Sequence, residues 1–344
     1  IVNLGTGTVN KINIKDGLEN VGIYTVSSDN LDTVATITLT DATKSIGLYA
    51  KNTTGTITNK GKILGTGLTK SMGIAAEGTT TITNKGEVDV EGTGVVGLVA
   101  KDSGAIIDAD PTSKVKATGS SSAAAYTEAG AINFEGGSID AQGGAIDLYA
   151  NKGTIKVSEN GVATAINTGQ KSLAFMTKNT GKIRFESATT ATIQGGSDAP
   201  TRGTAFYYTP SGLSVTPGTA STYGSFSKLG TDLATAFDNT LGNLTLDMKA
   251  GSRLMIASNI NASLTNTTEA SIKAALPGLN LVGSTDYKTA MLYLSYLNVD
   301  KAVNLDDAND DYNKLEISNS SVENNNTMSG TQAGQVAMAQ ENIA

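Results

Sequence analysis

The sequence predicts an all-β chain folded as a right-handed parallel β-helix, a solenoid with about 26 residues in each three-strand turn and a small α+β insertion. Three observations lead there. A short phrase, a small residue followed by an apolar, a larger and a small residue, recurs eight times within the first 208 residues at intervals of 23 to 31. Two further strand-like registers recur inside each interval, in the same order. The composition suits a narrow interior filled by stacked small and branched side chains: 5% aromatic, 39% apolar, 39 glycines and no tryptophan in 344 residues.

The copies of the phrase are Gly22-Ile23-Tyr24-Thr25, Gly47-Leu48-Tyr49-Ala50, Gly73-Ile74-Ala75-Ala76, Gly97-Leu98-Val99-Ala100, Ala124-Ala125-Tyr126-Thr127, Asp147-Leu148-Tyr149-Ala150, Ala174-Phe175-Met176-Thr177 and Ala205-Phe206-Tyr207-Tyr208. A Gly-x-Ile register follows each of the middle copies, with Ile57, Ile82, Ile106, Ile132, Ile155 and Ile183 expected to stack on one another. A third register places Ile63, Val88, Val115, Ile139, Val162 and Ile193 before a closing glycine. Strands of three to five residues rich in Ile, Val, Leu, Thr and Tyr lie between turns. The turns Asn59-Lys60-Gly61, Asn84-Lys85-Gly86, Asn151-Lys152-Gly153, Asn160-Gly161 and Asn179-Thr180-Gly181 are expected to enter positive φ. An Asn-x-Gly turn alone also suits an antiparallel hairpin, but a triplet of strands in constant order favours the coil, because like then stacks on like. At about 4.8 Å per turn, eight turns make a rod of roughly 35 to 40 Å.

After Tyr208 the rhythm fails. Residues 209–228 collect Pro210, Pro217 and several Ser, Thr and Gly, as a loop leaving the rod would. Residues 229–285 read as an insertion packed on the flank. In it Leu244, Leu246 and Met248 alternate as a strand, Leu254 and Ile256 continue that style, and Thr268 to Leu276 forms a short helix capped by Thr267 or Thr268 and stopped by Pro277-Gly278. The pattern resumes over 286–344, as coil turns or a cap, where Met291-Leu292-Tyr293 matches Phe206-Tyr207-Tyr208 and Leu315 to Ser318 makes a further strand.

Absences narrow the chemistry. With no cysteine and no histidine, disulfides, thiolate sites, Ser-His-Asp and Cys-His catalysis and His or Cys zinc sites are excluded. A formal charge of −7 with scattered lysines argues against nucleic acid as a partner. No run approaches 18 apolar residues, so no membrane-inserting helix is expected. Nothing in the composition calls for a cofactor. The chain opens in strand-like sequence at Ile1 and closes at Ala344 without a stopping signal, as a piece cut from a longer solenoid would.

Three candidate sites follow. If Ile23, Leu48, Ile74, Leu98, Leu148, Phe175 and Phe206 point inward, then Tyr24, Tyr49, Tyr126, Tyr149 and Tyr207 form an outward stripe. Such a stripe either binds a sugar face or protein partner, or only shields the sheet. The loop and insertion from Asp198 to Asp286 add Tyr207, Tyr208 and Tyr223 as aromatic anchors, unless that segment merely protects the rod. Asp307, Asn309 and Asp311 have the first, third and fifth spacing of a calcium loop, but Tyr312 stands where Gly is needed and Ser318 where a bidentate Glu is needed, which favours a solvated acidic turn.

With repeats such as Gly-Leu-Tyr-Ala-Lys-Asn (47–52) and Ile-Thr-Asn-Lys-Gly (57–61), the chain resembles the passenger region of type V autotransporters, and more narrowly the large fusobacterial outer-membrane adhesins of the RadD type. The resemblance covers residues 1–208 and, more loosely, the tail from 286. It implies a signal peptide before this segment, a C-terminal outer-membrane barrel after it, an extracellular location, and attachment to a host cell-surface receptor or glycan or to a surface protein of another bacterium. No motif here selects the ligand. Two other classes stay open: a self-associating aggregation factor using its Thr and Asn ladders, and a polysaccharide-active β-helix. The latter needs converging carboxylates, for which Glu87, Asp89 and Glu91 on one strand face are the nearest approach.

Overall fold

The computed structural model describes residues 11–196, 201–208, 226–258, 278–283, 292–295 and 315–318; for 208, 226–230, 255–258, 283, 292–295 and 315–318 the description covers the backbone alone. The chain is a parallel β-solenoid of three sheets. The first sheet has ten strands and begins Lys11–Leu18, Thr36–Thr43, Lys62–Thr69 and Glu87–Thr93. The second has eleven and begins Val21–Thr25, Ile46–Lys51, Met72–Glu77 and Val96–Ala100. The third has seven and runs from Leu31–Thr33 to Lys182–Phe185. Every pairing is parallel between successive turns, so the Asn-Gly segments make no hairpin.

Each sheet contributes an inward apolar row. In the second sheet all eight copies of the phrase stack in register, from Ile23 on Leu48 and Ile74 to Phe175 on Phe206. In the third, Leu31, Ile57, Ile82, Ile107, Ile132, Ile155 and Ile183 form one continuous row. In the first, the row runs Ile37, Ile63, Val88, Val115, Ile139, Ile166 and Ala191. Apart from Leu31, which is half-buried, these side chains are almost wholly removed from water, and each large buried one contributes about 1.5–3 kcal/mol.

Three expected row members are displaced. Ile107, not Ile106, lies between Ile82 and Ile132, while Ile106 pairs with Thr81 and Ala131 on the outer side. The turn that closes Ala105 N–H onto Asp102 C=O places the second isoleucine inside. Ile166 takes the place assigned to Val162, which sits 46% exposed in the preceding turn. Ile193 faces inward but stacks on Thr168 and Met248, two residues further along its strand.

The Asn-x-Gly turns also differ from expectation. Asn59 and Asn84 end strands, have no positive φ and are fully buried. Asn59 Nδ2 donates to Asn84 Oδ1 at 2.7 Å, and Asn84 Nδ2 donates to Ser113 Oγ at 2.7 Å, a polar ladder inside one corner. Gly61 and Gly86 are needed for close approach instead: a Cβ at Gly61 would strike the Ala35 carbonyl oxygen and one at Gly86 the Gly61 carbonyl oxygen. Positive φ holds at Gly161 and Asn179. A second corner carries serines. Ser45 N–H donates to Ser71 Oγ and Val95 N–H to Ser122 Oγ, while Ser45 and Ser122 pass their protons to Thr43 C=O and Ser120 C=O. Buried donors at bends of the coil are thereby satisfied.

Past Phe185 the coil changes. The next turn places Thr189–Ile193 in the first sheet and Thr204–Tyr208 in the second, but helix α1, Phe226–Ala236, follows where a third-sheet strand would come. Leu229, Leu233 and Phe237 recur at helical spacing, and Leu233 and Phe237 are buried. The edge of Lys182–Phe185 is closed by side chains: Thr240 Oγ1 accepts the Phe185 N–H at 2.9 Å and Asn243 Nδ2 donates to the Phe185 carbonyl at 2.6 Å. Capping of this kind removes an exposed strand edge.

Residues 229–285 are therefore not simply an insertion on the flank. Leu244–Met248 pairs with Thr189–Ile193, and Arg253–Ser258 with Thr204–Tyr208, so both are the next strands of the rod. Asn280–Gly283, Leu292–Ser295 and Leu315–Ser318 extend the first and second sheets further. There Leu292, one residue past the expected Met291, continues the Phe206 row through Met255. The helix expected over 268–276 lies outside the described residues.

Candidate functional site

The outer faces of the three sheets differ in chemistry. On the first sheet, the outward rows read Thr36, Lys62, Glu87, Lys114 and Ser138, and Thr38, Leu64, Asp89, Lys116 and Asp140. On the third, the outward rows read Asp32, Thr58, Thr83, Asp108, Asn133, Lys156 and Arg184, and Thr81, Ile106, Ala131, Thr154 and Lys182. Opposite charges on adjacent turns pair, as in Lys62 with Glu87 at 2.7 Å, Lys116 with Asp89 at 3.4 Å, Lys60 with Asp32 at 2.5 Å and Lys85 with Asp110 at 3.0 Å. Glu87 and Asp89 are thus held by lysines on neighbouring strands.

The second sheet has no charge on its two central outward rows from the first turn to Thr204. One row is Val21, Ile46, Met72, Val96, Ala123, Ile146 and Leu173. The other is Tyr24, Tyr49, Ala75, Val99, Tyr126, Tyr149, Met176 and Tyr207. The bend that makes this face is local. In Ile46–Lys51 both Gly47 and Leu48 face in, and a Cβ on Gly47 would lie 2.6 Å from Ile63 Cγ2, so the phrase begins with a small residue. Tyr49 and Ile46 are then left on the outside, half-buried.

The tyrosines make two couples rather than an unbroken stripe. Tyr24 and Tyr49 have ring centroids 5.2 Å apart at 32°, and Tyr126 and Tyr149 have centroids 5.0 Å apart at 49°. Ala75 and Val99 separate the couples, and Met176 separates the second couple from Tyr207. Tyr24 is the most open, 47% exposed. Tyr207 is half-buried in the same row; for Tyr208 only the strand backbone is described, and Tyr223 lies outside the described residues. Asp307, Asn309 and Asp311 also lie outside them.

One flank of this face carries a charged knot that the sequence reading missed. Glu77 receives Lys51 Nζ at 2.5 Å, Lys101 Nζ at 2.9 Å and the Tyr49 hydroxyl at 2.6 Å. The Lys51 hydrogen bond, followed by that of Tyr49, holds the Glu77 carboxyl down at about 2. Burial, then the hydrogen bond to Glu77, pushes the Tyr49 phenol up. Burial, with Tyr126 beside it, raises Tyr149 as well. Asn151 Nδ2 donates to the Tyr126 hydroxyl at 3.2 Å. The Tyr49 and Tyr126 hydroxyls, one in each couple, are thus fixed, so these rings offer edges and faces, in a setting suited to packing rather than proton transfer. The repeat spacing of Lys51, Glu77 and Lys101, one per turn, was the available signal. No family model matches the chain, and no curated protein or solved structure matches it either.

Proposed function

We propose that this chain is part of the shaft of a cell-surface adhesin of the autotransporter passenger kind, and that it holds a protein partner against the outer face of its second sheet. The observation that carries the reading is the contrast between faces. Two outward rows of the second sheet, apolar and aromatic except for Thr204, run uncharged along eight strands, while the outward rows of the first and third sheets carry charged, hydroxyl and amide side chains with only isolated apolar members such as Leu64, Ile106 and Ala131. Ala75, Val99 and Ala123 are buried, so the accessible part of the face lies in patches, with Tyr24, Tyr49 and Met72 in one and Tyr126, Ile146 and Tyr149 in the next. Grouped apolar surface is characteristic of interaction sites, and aromatic residues with Met are enriched at the centres of protein interfaces. The sequence resemblance to autotransporter passengers supports an extracellular setting and an attachment role.

The test is capture of cells by beads coated with the 344-residue chain. Met72→Lys and Ile146→Lys place a cation on the half-buried outward row, and Thr38→Lys places one on the first sheet as a control. If the reading is right, the first two lower capture by about tenfold or more and the control leaves it unchanged, with melting temperatures alike. Equal capture by all four proteins would overturn it. Beads that clump only with one another would replace an outside partner by a second copy of the chain.

A further inference from the structure

Asp147 occupies the first position of the repeated phrase, where the other turns have Gly47, Gly73, Gly97, Ala124, Ala174 and Ala205. That position faces into the coil, so the Asp147 carboxyl is fully buried. Its Oδ2 accepts a hydrogen bond from Thr168 Oγ1 at 2.5 Å, and Thr168 is itself fully buried on the first sheet. Its Oδ1 is buried without a hydrogen bond. The inward residues on the strands around it are Ala124, Ala174, Ile139, Ala141 and Ile166, none of them charged. The charged groups on those strands point outward: Asp140 on the first sheet, and Lys156, Lys182 and Arg184 on the third. Tyr126 and Tyr149 lie on the outer side of the second sheet.

We infer that the rod contains a proton-dependent joint: the turn from Asp147 to Thr168 stays closed only while the Asp147 carboxyl holds a proton, and loss of that proton loosens the coil there. A carboxylate with one oxygen left without a hydrogen bond and no cation beside it is strongly disfavoured in an apolar interior. The neutral acid removes that penalty and shares one short hydrogen bond with Thr168. Burial, opposed by the Thr168 hydroxyl and the Ala141 amide and reinforced by Asp140, accordingly drives this carboxyl well above its ordinary range.

The sign follows from proton counting. An unfolded aspartate loses its proton near about pH 4, whereas the folded coil keeps it. Above that pH the unfolded chain therefore binds fewer protons, and stability falls as pH rises, by about tenfold in the folding equilibrium per pH unit, until the folded group also ionises. Below about pH 4 the contribution is fully present.

The test uses the whole chain with Asp147→Ala, which copies Ala124 and Ala174, and Asp147→Asn, which keeps the shape. Urea unfolding is followed from about pH 4 to about pH 8, with amide exchange read over residues 146–168. The expected result is that the wild type loses ground to both variants steadily as pH rises, and that its protection over 146–168 falls faster than over 46–69. Infrared spectra at neutral pH should carry a protonated carboxylic acid band that both variants lack. Unfolding curves that stay parallel across the range, or no such band, would overturn the inference.

Discussion

The rings of Phe185 and Phe237 stack with centroids 6.0 Å apart and planes only 10° from parallel. Phe237 also meets Phe175 and Phe206 edge-on, at 6.2 Å and 5.3 Å. Phe237, the residue just after helix α1, thus closes the coil interior where the third sheet stops, and Lys182 and Arg184 tie the same corner by pairing with Asp238 at 2.9 Å and 3.4 Å. Phe237→Ala should cost about 3–5 kcal/mol. Chemical denaturation would show it as a lower midpoint, with exchange rising first at the Lys182–Phe185 edge.

Ile106 and Ile107 are adjacent and chemically identical, yet only Ile107 is inside. Ile107→Ala should destabilise by about 2–5 kcal/mol, and Ile106→Ala by less than about 1 kcal/mol. Thermal melts of the two variants check the register directly; equal losses would mean the row is misassigned.

Asn84 bridges two turns, accepting from Asn59 and donating to Ser113. Asn84→Ala leaves the Asn59 amide and the Ser113 hydroxyl short of a partner in a buried corner, at about 1–3 kcal/mol. The variant Asn84→Asp replaces a donor by an acceptor facing Ser113 and should cost more at pH 7 than at pH 4, because only the charged form is penalised there. Midpoints measured at both pH values decide it.

Glu77 links three side chains at the edge of the second sheet. Its carboxyl, at about 2 in the folded chain against an ordinary 4.5, contributes stability that is present above the ordinary value and fades as pH falls from 4.5 toward 2. Allowing for solvent screening, that contribution is about 1–2 kcal/mol. Glu77→Gln should therefore be less stable than the wild type at pH 7, and the gap should close in acid; a gap that persists at pH 2 would count against the knot.

Much of the architecture was legible because a solenoid writes its period into the sequence. Each turn must present an inward apolar residue at the same place, so the eight-fold phrase identified the second sheet, and the Ile57, Ile82, Ile132, Ile155 and Ile183 series identified the third. The tyrosine row was legible for the same reason. The expected stripe is divided into two couples by Ala75 and Val99, which stand in the same register. The charged knot at Glu77 left only the one-per-turn spacing of Lys51, Glu77 and Lys101, because which neighbours pair across turns depends on side-chain reach that the repeat does not encode.

The sequence by itself determined that the chain coils, since a regular return of small, branched and apolar residues can bury its interior only by stacking turn on turn. The tertiary structure alone decided which of two neighbouring apolar residues faces in, as with Ile106 and Ile107 or Val162 and Ile166. Strand alternation has a period of two, so one residue more or less in a turn reverses every side chain after it. It also decided that Asn59 and Asn84 turn their amides inward, that α1 stands where a third-sheet strand would lie, and that Asp147 is sealed inside the coil. Each of these depends on what the adjacent turn supplies, about 25 residues away along the chain.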